Sequence, residues 1–292
     1  MGGGGSKKSK LVVLEAPEYA LYCDGKSNFP PIGPDNYDLV ISEKEHNIKS
    51  FPLRMPENGE PIRIGRSSTS GANVKISDEN VSGVHLEIVW DGRDWVVNDM
   101  ESSHGTKALV SSSDPVHVKP DKPFVIPGPM CFVLGRTSFV SVAPRAHPVK
   151  SLAFLVTGVS ADAKASDSGP VNSVGKAFTT ANEPVQIVFG SKYDEHGRPC
   201  IQLPHPNVAD PHCLLRRSDC STLGCWDVSD TKSEHGIVVG GHMLEDRAVV
   251  PLWPGAELTF GHERKQWDGR HFTGKGAYVF KVLLKYGTEE KQ

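Results

Sequence analysis

The residues of this chain whose types and spacing could do chemistry fall in three short segments. They are Gly65-Arg66, Ser82-Gly83-Val84-His85 and Ser102-Ser103-His104-Gly105-Thr106. An arginine presents a rigid fork of N–H donors that matches phosphate oxygens, and serine hydroxyls donate to the same oxygens. Arg66, Ser82 and Ser103 on neighbouring loops would therefore make a receptor for one phosphate. Singly, each reads as an ordinary turn residue. Their joint occurrence, in this order, points to an anion site.

Each segment adjoins a run rich in β-branched or aromatic residues (61–64, 86–90 and 95–98), bounded by Gly, Asp or Ser. Around them the pattern predicts strands at 39–41, 48–53, 60–66, 85–90, 95–98, 107–110, 116–118, 124–126, 131–134 and 138–142. Short strands at this spacing, with polar turns between, predict a sandwich. The same order then recurs. EPVQIVFG at 183–190 mirrors EPIRIG at 60–65, VADPHCLLRR at 208–217 mirrors VSGVHLEIV at 81–89, and DTKSEHGI at 230–237 mirrors DMESSHGT at 99–106. The repeat unit is one sandwich long, so the chain is read as all-β, with two consecutive sandwiches at 37–146 and 151–286. A flexible segment at 1–10, an N-terminal extension at 11–36 and a tail at 287–292 complete it. The extension holds an apolar run and then a Pro-rich stretch, which fits an extra strand or an arm packed on another domain or a partner. The short, Pro-containing junction at 145–150 predicts that the sandwiches are close neighbours. Residues 160–173 are poor in apolar side chains and read as a long mobile loop.

The motif spacing resembles the forkhead-associated (FHA) family, a β-sandwich that reads phosphothreonine peptides. Its pattern is Gly-Arg, then Ser-x-x-His, then Asp-x-x-Ser-x-Asn-Gly-Thr. The first two pieces are intact here, and in the third His104 stands in for the Asn. The resemblance implies that Arg66, Ser82 and Ser103 contact the phosphate. It also implies that His85 supports the Ser82 loop from inside the fold, with Gly65 and Gly105 allowing tight loop backbones. His104 would meet the peptide main chain with one donor in place of an amide's donor and acceptor. In the second repeat Ser191, Ala209 and Glu234 replace Arg66, Ser82 and Ser103, and a carboxylate there would repel a phosphate. That copy reads as degenerate at the site. The implied function is a non-enzymatic adaptor: the first domain binds a phosphothreonine-containing protein, and the second makes phosphate-independent protein contacts. The alternative is a structural component of a stable assembly, with both sandwiches as phosphate-independent docking modules.

Composition narrows the classes further. A net charge of −3 gives no reason to expect nucleic-acid binding, which usually shows as a basic face. No apolar run approaches the roughly 20 residues of a membrane span. Six cysteines in 292 residues read as reduced thiols, pointing to an intracellular, cytoplasmic protein with membrane or assembly association or a nuclear location left open. Cys213, Cys220 and Cys225 lack paired metal-ligand spacing, and Thr273-Gly274-Lys275-Gly276 lacks the remainder of a phosphate loop, so no metal, cofactor or enzyme activity is expected. The N-terminal MGGGGSKKSK matches the N-myristoylation signal, with Gly2 as acceptor, Ser6 at the selective position and lysines behind it. A membrane contact would follow only from that modification, and a plain flexible linker is the other reading of GGGGS.

Overall fold

The computed structural model describes residues 11–15, 32–43, 47–55, 59–110, 114–145, 149–165, 169–180, 185–192, 198–218, 225–245, 248–262 and 276–286. The expectations about Gly2 and residues 1–10, and about 287–292, lie outside them. The first part of the chain forms β1 (Leu11–Leu14), β2 (Tyr37–Glu43), β3 (Asn47–Leu53), β4 (Ile62–Gly65), β5 (Val74–Lys75), β6 (Leu86–Trp90), β7 (Trp95–Asp99), β8 (Thr106–Leu109), β9 (Val116–Val118), β10 (Phe124–Val125), β11 (Met130–Leu134) and β12 (Ser138–Pro144). The second part forms β13 (Val149–Val159), β14 (Ala177–Thr180), β15 (Gln186–Gly190), β16 (Cys200–Gln202), β17 (Cys213–Ser218), β18 (Cys225–Asp230), β19 (Val238–Val239), β20 (His242–Met243), β21 (Val249–Pro251), β22 (Glu257–Phe260) and β23 (Tyr278–Tyr286).

These strands build two sandwiches with one topology. The first pairs a sheet ordered β3-β2-β12-β11-β8-β9 with one ordered β10-β7-β6-β4-β5. In the second, β14-β13-β23-β22-β19-β20 faces β21-β18-β17-β15-β16, which is the same order strand for strand. Even the short parallel pairings recur, β4 with β5 and β15 with β16. The all-β tandem expected from the repeats is the observed fold. Among the shortest strands, β9 and β10 match the expected strands at 116–118 and 124–126, whereas none was expected at β5 or β20.

Two segments needed the structure to be understood. β1 belongs to the second sandwich, where it pairs antiparallel with β14 (Leu11 with Thr180, Leu14 with Ala177) and extends that sheet to seven strands. Leu11 packs on the main core and Leu14 on a small cluster of Ala153, Ala177 and Leu283. In the stretch 160–173, expected to be a long mobile loop, the structure describes 160–165 and 169–173. These parts form 3-10 turns at Asp162–Ala165 and Gly169–Asn172, and Ala163 and Val171 are buried in the core. Average polarity concealed those two buried side chains.

The sandwiches share a hydrophobic interior. In β11 and β12, Phe132, Leu134, Val140 and Val142 face the first core, while Cys131, Val133 and Phe139 point the other way into the core of the second domain. This is the period-2 alternation of a sheet buried on both faces. Leu109 joins them, the Ser141 hydroxyl donates to the Pro251 carbonyl at 2.9 Å, and Arg136 pairs with Glu245 at 3.4 Å. Each apolar side chain of this size buried there contributes about 1.5–3 kcal/mol. The two domains are packed against each other through it.

Candidate functional site

Arg66 directly follows β4, Ser82 lies in the loop before β6, and Ser103 lies in the loop between β7 and β8. Backbone bonds draw the first two loops together: the Arg66 N–H donates to the Ser82 carbonyl at 2.8 Å and the Ser67 N–H to the Gly83 carbonyl at 3.1 Å. Gly65 makes the approach possible, because a Cβ at that position would collide with the Gly83 carbonyl. The third loop is joined through a side chain, the Ser103 N–H donating to Ser82 Oγ at 3.1 Å. Since that oxygen already accepts a bond, the hydroxyl proton of Ser82 remains available for an outside acceptor.

His85 sits fully buried under the three loops. Its Nδ1 accepts the Ser82 N–H at 3.1 Å, and its Nε2 faces the Gly105 carbonyl at 3.2 Å. One ring nitrogen accepts and the other donates, which fixes the neutral Nε2–H tautomer. Burial, the main influence on this ring, pulls its pKa below the ordinary histidine value and favours that neutral form. Gly105 takes the left-handed conformation at φ 70°.

Two buried carboxylates hold the loops from behind. Asp99 accepts the Ser102 N–H (2.8 Å), the Ser102 hydroxyl (2.8 Å) and the Thr106 hydroxyl (2.6 Å). Asp78 accepts the Asn80 N–H at 2.9 Å and the hydroxyls of Thr137 and Ser138 at 2.9 and 2.8 Å. Burial pushes the Asp78 carboxyl up, but these bonds together outweigh it and leave its pKa lowered. Sequence reasoning gave neither residue a role. Asp99 had a signal, since it fills the Asp of the third motif; Asp78 had none, because the hydroxyls it binds lie about 60 positions away in the chain.

What the frame presents outward is cationic and hydroxylic. Arg66 is exposed, and among the described residues its guanidinium has no ion-pair or hydrogen-bond partner. The neighbouring Arg63 is engaged with Glu87 at 3.0 Å. Ser103 and His104 are exposed on a loop whose backbone is held on both sides of them. All the residues singled out in the first repeat therefore converge on one end of the first sandwich.

The second repeat keeps the frame and changes what it displays. His212 accepts the Ala209 N–H at 2.9 Å and faces the Gly236 carbonyl at 2.8 Å, and the Ser191 N–H donates to the Ala209 carbonyl at 3.0 Å. The Ser233 N–H donates to Asp230 at 2.9 Å. On that frame stand Ser191, Ala209 and the exposed carboxylate of Glu234.

Comparison with known proteins finds one family match within each sandwich. The FHA domain model matches residues 62–123 and again 187–261. Among solved structures, the FHA domain of a hypothetical protein of Arabidopsis thaliana is 23% identical, with a TM-score of 0.34, covering 44% of this chain and 100% of that one. An FHA domain from Chlamydia trachomatis is 16% identical, with a TM-score of 0.30, covering 38% of this chain and 99% of its own. Mycobacterium tuberculosis EmbR, solved with a low-affinity phosphopeptide, is 19% identical with a TM-score of 0.28, over 38% of this chain and 26% of its own. No curated protein matches the chain.

Proposed function

This chain carries two FHA domains in tandem, and from that we propose that the first binds phosphothreonine-containing protein segments while the second makes phosphate-independent protein contacts. FHA domains are phosphothreonine-binding interaction modules rather than enzymes. The observation that carries the reading here is the joint presentation of three groups at one end of the first sandwich. They are an exposed Arg66 with no partner among the described residues, a Ser82 hydroxyl whose oxygen is occupied by the Ser103 N–H, and the exposed Ser103. A guanidinium and two hydroxyls match the three oxygens and double charge of a phosphoryl group. The second site keeps its His212 support yet offers a carboxylate at Glu234, which opposes a phosphate. A threonine kinase acting on the partner would control such an adaptor, and an intracellular location is part of this proposal.

The test is calorimetric titration of the full-length chain with matched phosphothreonine and unphosphorylated peptides recovered from a degenerate library. The expected result is binding of the phosphorylated form only, reduced more than tenfold by Arg66→Ala, since truncating one partner of a desolvated ion pair costs about 2–5 kcal/mol. Arg66→Lys keeps the charge, loses the fork and restores part of the affinity. Equal binding of both peptide forms by the parent would replace this reading with that of a phosphate-independent structural component.

A further inference from the structure

The loop that supplies Arg66 carries a second set of groups the reader function leaves unused. After the arginine the chain runs Ser67-Ser68-Thr69-Ser70, four hydroxyl side chains in succession. A 3-10 turn spans Ser68–Ser70 and is closed by Gly71 at φ 95°. Ser68, Thr69 and Ser70 are exposed. The turn folds back beside the Ser82 loop: the Ser67 N–H reaches the Gly83 carbonyl at 3.1 Å, and the Ser70 hydroxyl lies 2.9 Å from where a Cβ on Gly83 would stand. Ser70 thus packs on Gly83 with no room for a larger group. Thr69 is free of that contact; its Oγ1 lies 2.7 Å from Ser67 Oγ at the surface.

We propose that Thr69 is a phosphorylation site, and that its phosphate occupies Arg66 and closes the phosphothreonine site in cis. The inference rests on the reading that Arg66 captures the ligand's phosphate. The modifying enzyme would be an ATP-dependent serine/threonine kinase that reads a basic residue three positions upstream, the place Arg66 holds relative to Thr69. Thr69 Oγ1 attacks the γ-phosphorus of ATP, the bond between the γ-phosphorus and the β,γ-bridging oxygen breaks, ADP leaves, and the hydroxyl proton passes to the kinase's base. The product adds about −1.5 to −2 charges and three acceptor oxygens to this loop. Two consequences act on the same step. The new phosphate competes for the guanidinium intramolecularly, at an effective concentration in the millimolar range or above. It also repels the dianion of an incoming peptide.

The experiment treats the full-length chain with ATP and a purified kinase of that specificity, locates the phosphate by peptide mass spectrometry, and titrates the product with the phosphothreonine peptide recovered from the library. The expected result is phosphate on Thr69 and a loss of peptide affinity of more than tenfold. Thr69→Val should keep parental affinity after the same treatment, and untreated Thr69→Glu should bind several-fold more weakly than the parent. Failure of the kinase to modify Thr69, or phosphate on Thr69 with affinity within twofold of the parent, would overturn the inference. The two failures are separable: if Arg66→Ala abolishes binding while phosphorylated Thr69 does not affect it, the reader function stands and only the cis closure falls.

Discussion

Replacing His85 by alanine, beside the matching replacement of His212, separates the support of the site from its chemistry. Both imidazoles are fully buried and make the same two contacts, to a backbone N–H three residues earlier and to a glycine carbonyl in the third loop. Each lost bond is worth about 1 kcal/mol net, and each group stranded without water costs about 1–3 kcal/mol. A ring-sized void adds about 24 cal/mol per Å³ that fails to collapse. The stranded-group cost replaces the net bond value rather than adding to it, so two stranded groups and a partly collapsed void come to about 3–7 kcal/mol for either variant. With a urea slope of about 2–3 kcal/mol per M, the unfolding midpoint should fall by about 1–3.5 M in both. Peptide binding should diverge. In His85→Ala the Ser82 N–H and the Gly105 carbonyl lose their common tie, the hydroxyl and Ser103 drift relative to Arg66, and affinity falls more than tenfold in protein still folded. His212→Ala should bind the phosphothreonine peptide within twofold of the parent. Urea titration followed by calorimetry under folding conditions measures both quantities. A His85→Ala protein that unfolds with the parent would refute the energetic argument, and equal loss of affinity in the two variants would refute the assignment of the site to the first domain.

Three further outcomes follow from the geometry. Gly65→Ala forces a methyl into the Gly83 carbonyl, so the Arg66 and Ser82 loops must part; weakened phosphopeptide binding together with a lower melting temperature is expected, and unchanged binding would count against the closeness of the loops. Phe139→Ala empties part of the interior shared by the two sandwiches and should cost about 3–5 kcal/mol by urea unfolding, a loss no surface phenylalanine would give. Burial, with Lys107 a lesser influence, lowers the pKa of His242 from 6.5 to about 3; the unfolded chain therefore takes up that proton first. Its contribution to stability is complete above about pH 6.5 and is lost as pH falls toward 3, so His242→Leu should flatten the decline in urea midpoint measured from about pH 7.5 to 4.5.

The tandem architecture and the residues of the candidate site were legible in the linear chain because both are written in local order. Strand alternation is a property of neighbouring residues, and the three segments keep their order and their internal spacing in each copy, so the repeat and its altered residues Ser191, Ala209 and Glu234 could be aligned without coordinates. Other features depend on partners far apart in sequence. Asp78 looks like any loop aspartate until the hairpin bearing Thr137 and Ser138 folds onto it. Leu11–Leu14 is an apolar run with no assigned neighbour until β14 offers a free edge more than 160 positions later. Cys131, Val133 and Phe139 read as the second face of an ordinary strand, and only the docking of the second sandwich makes that face interior. Alternation tells which residues share a face of a sheet; what covers the face is set by long-range packing, where burial area rather than sequence spacing fixes the free energy.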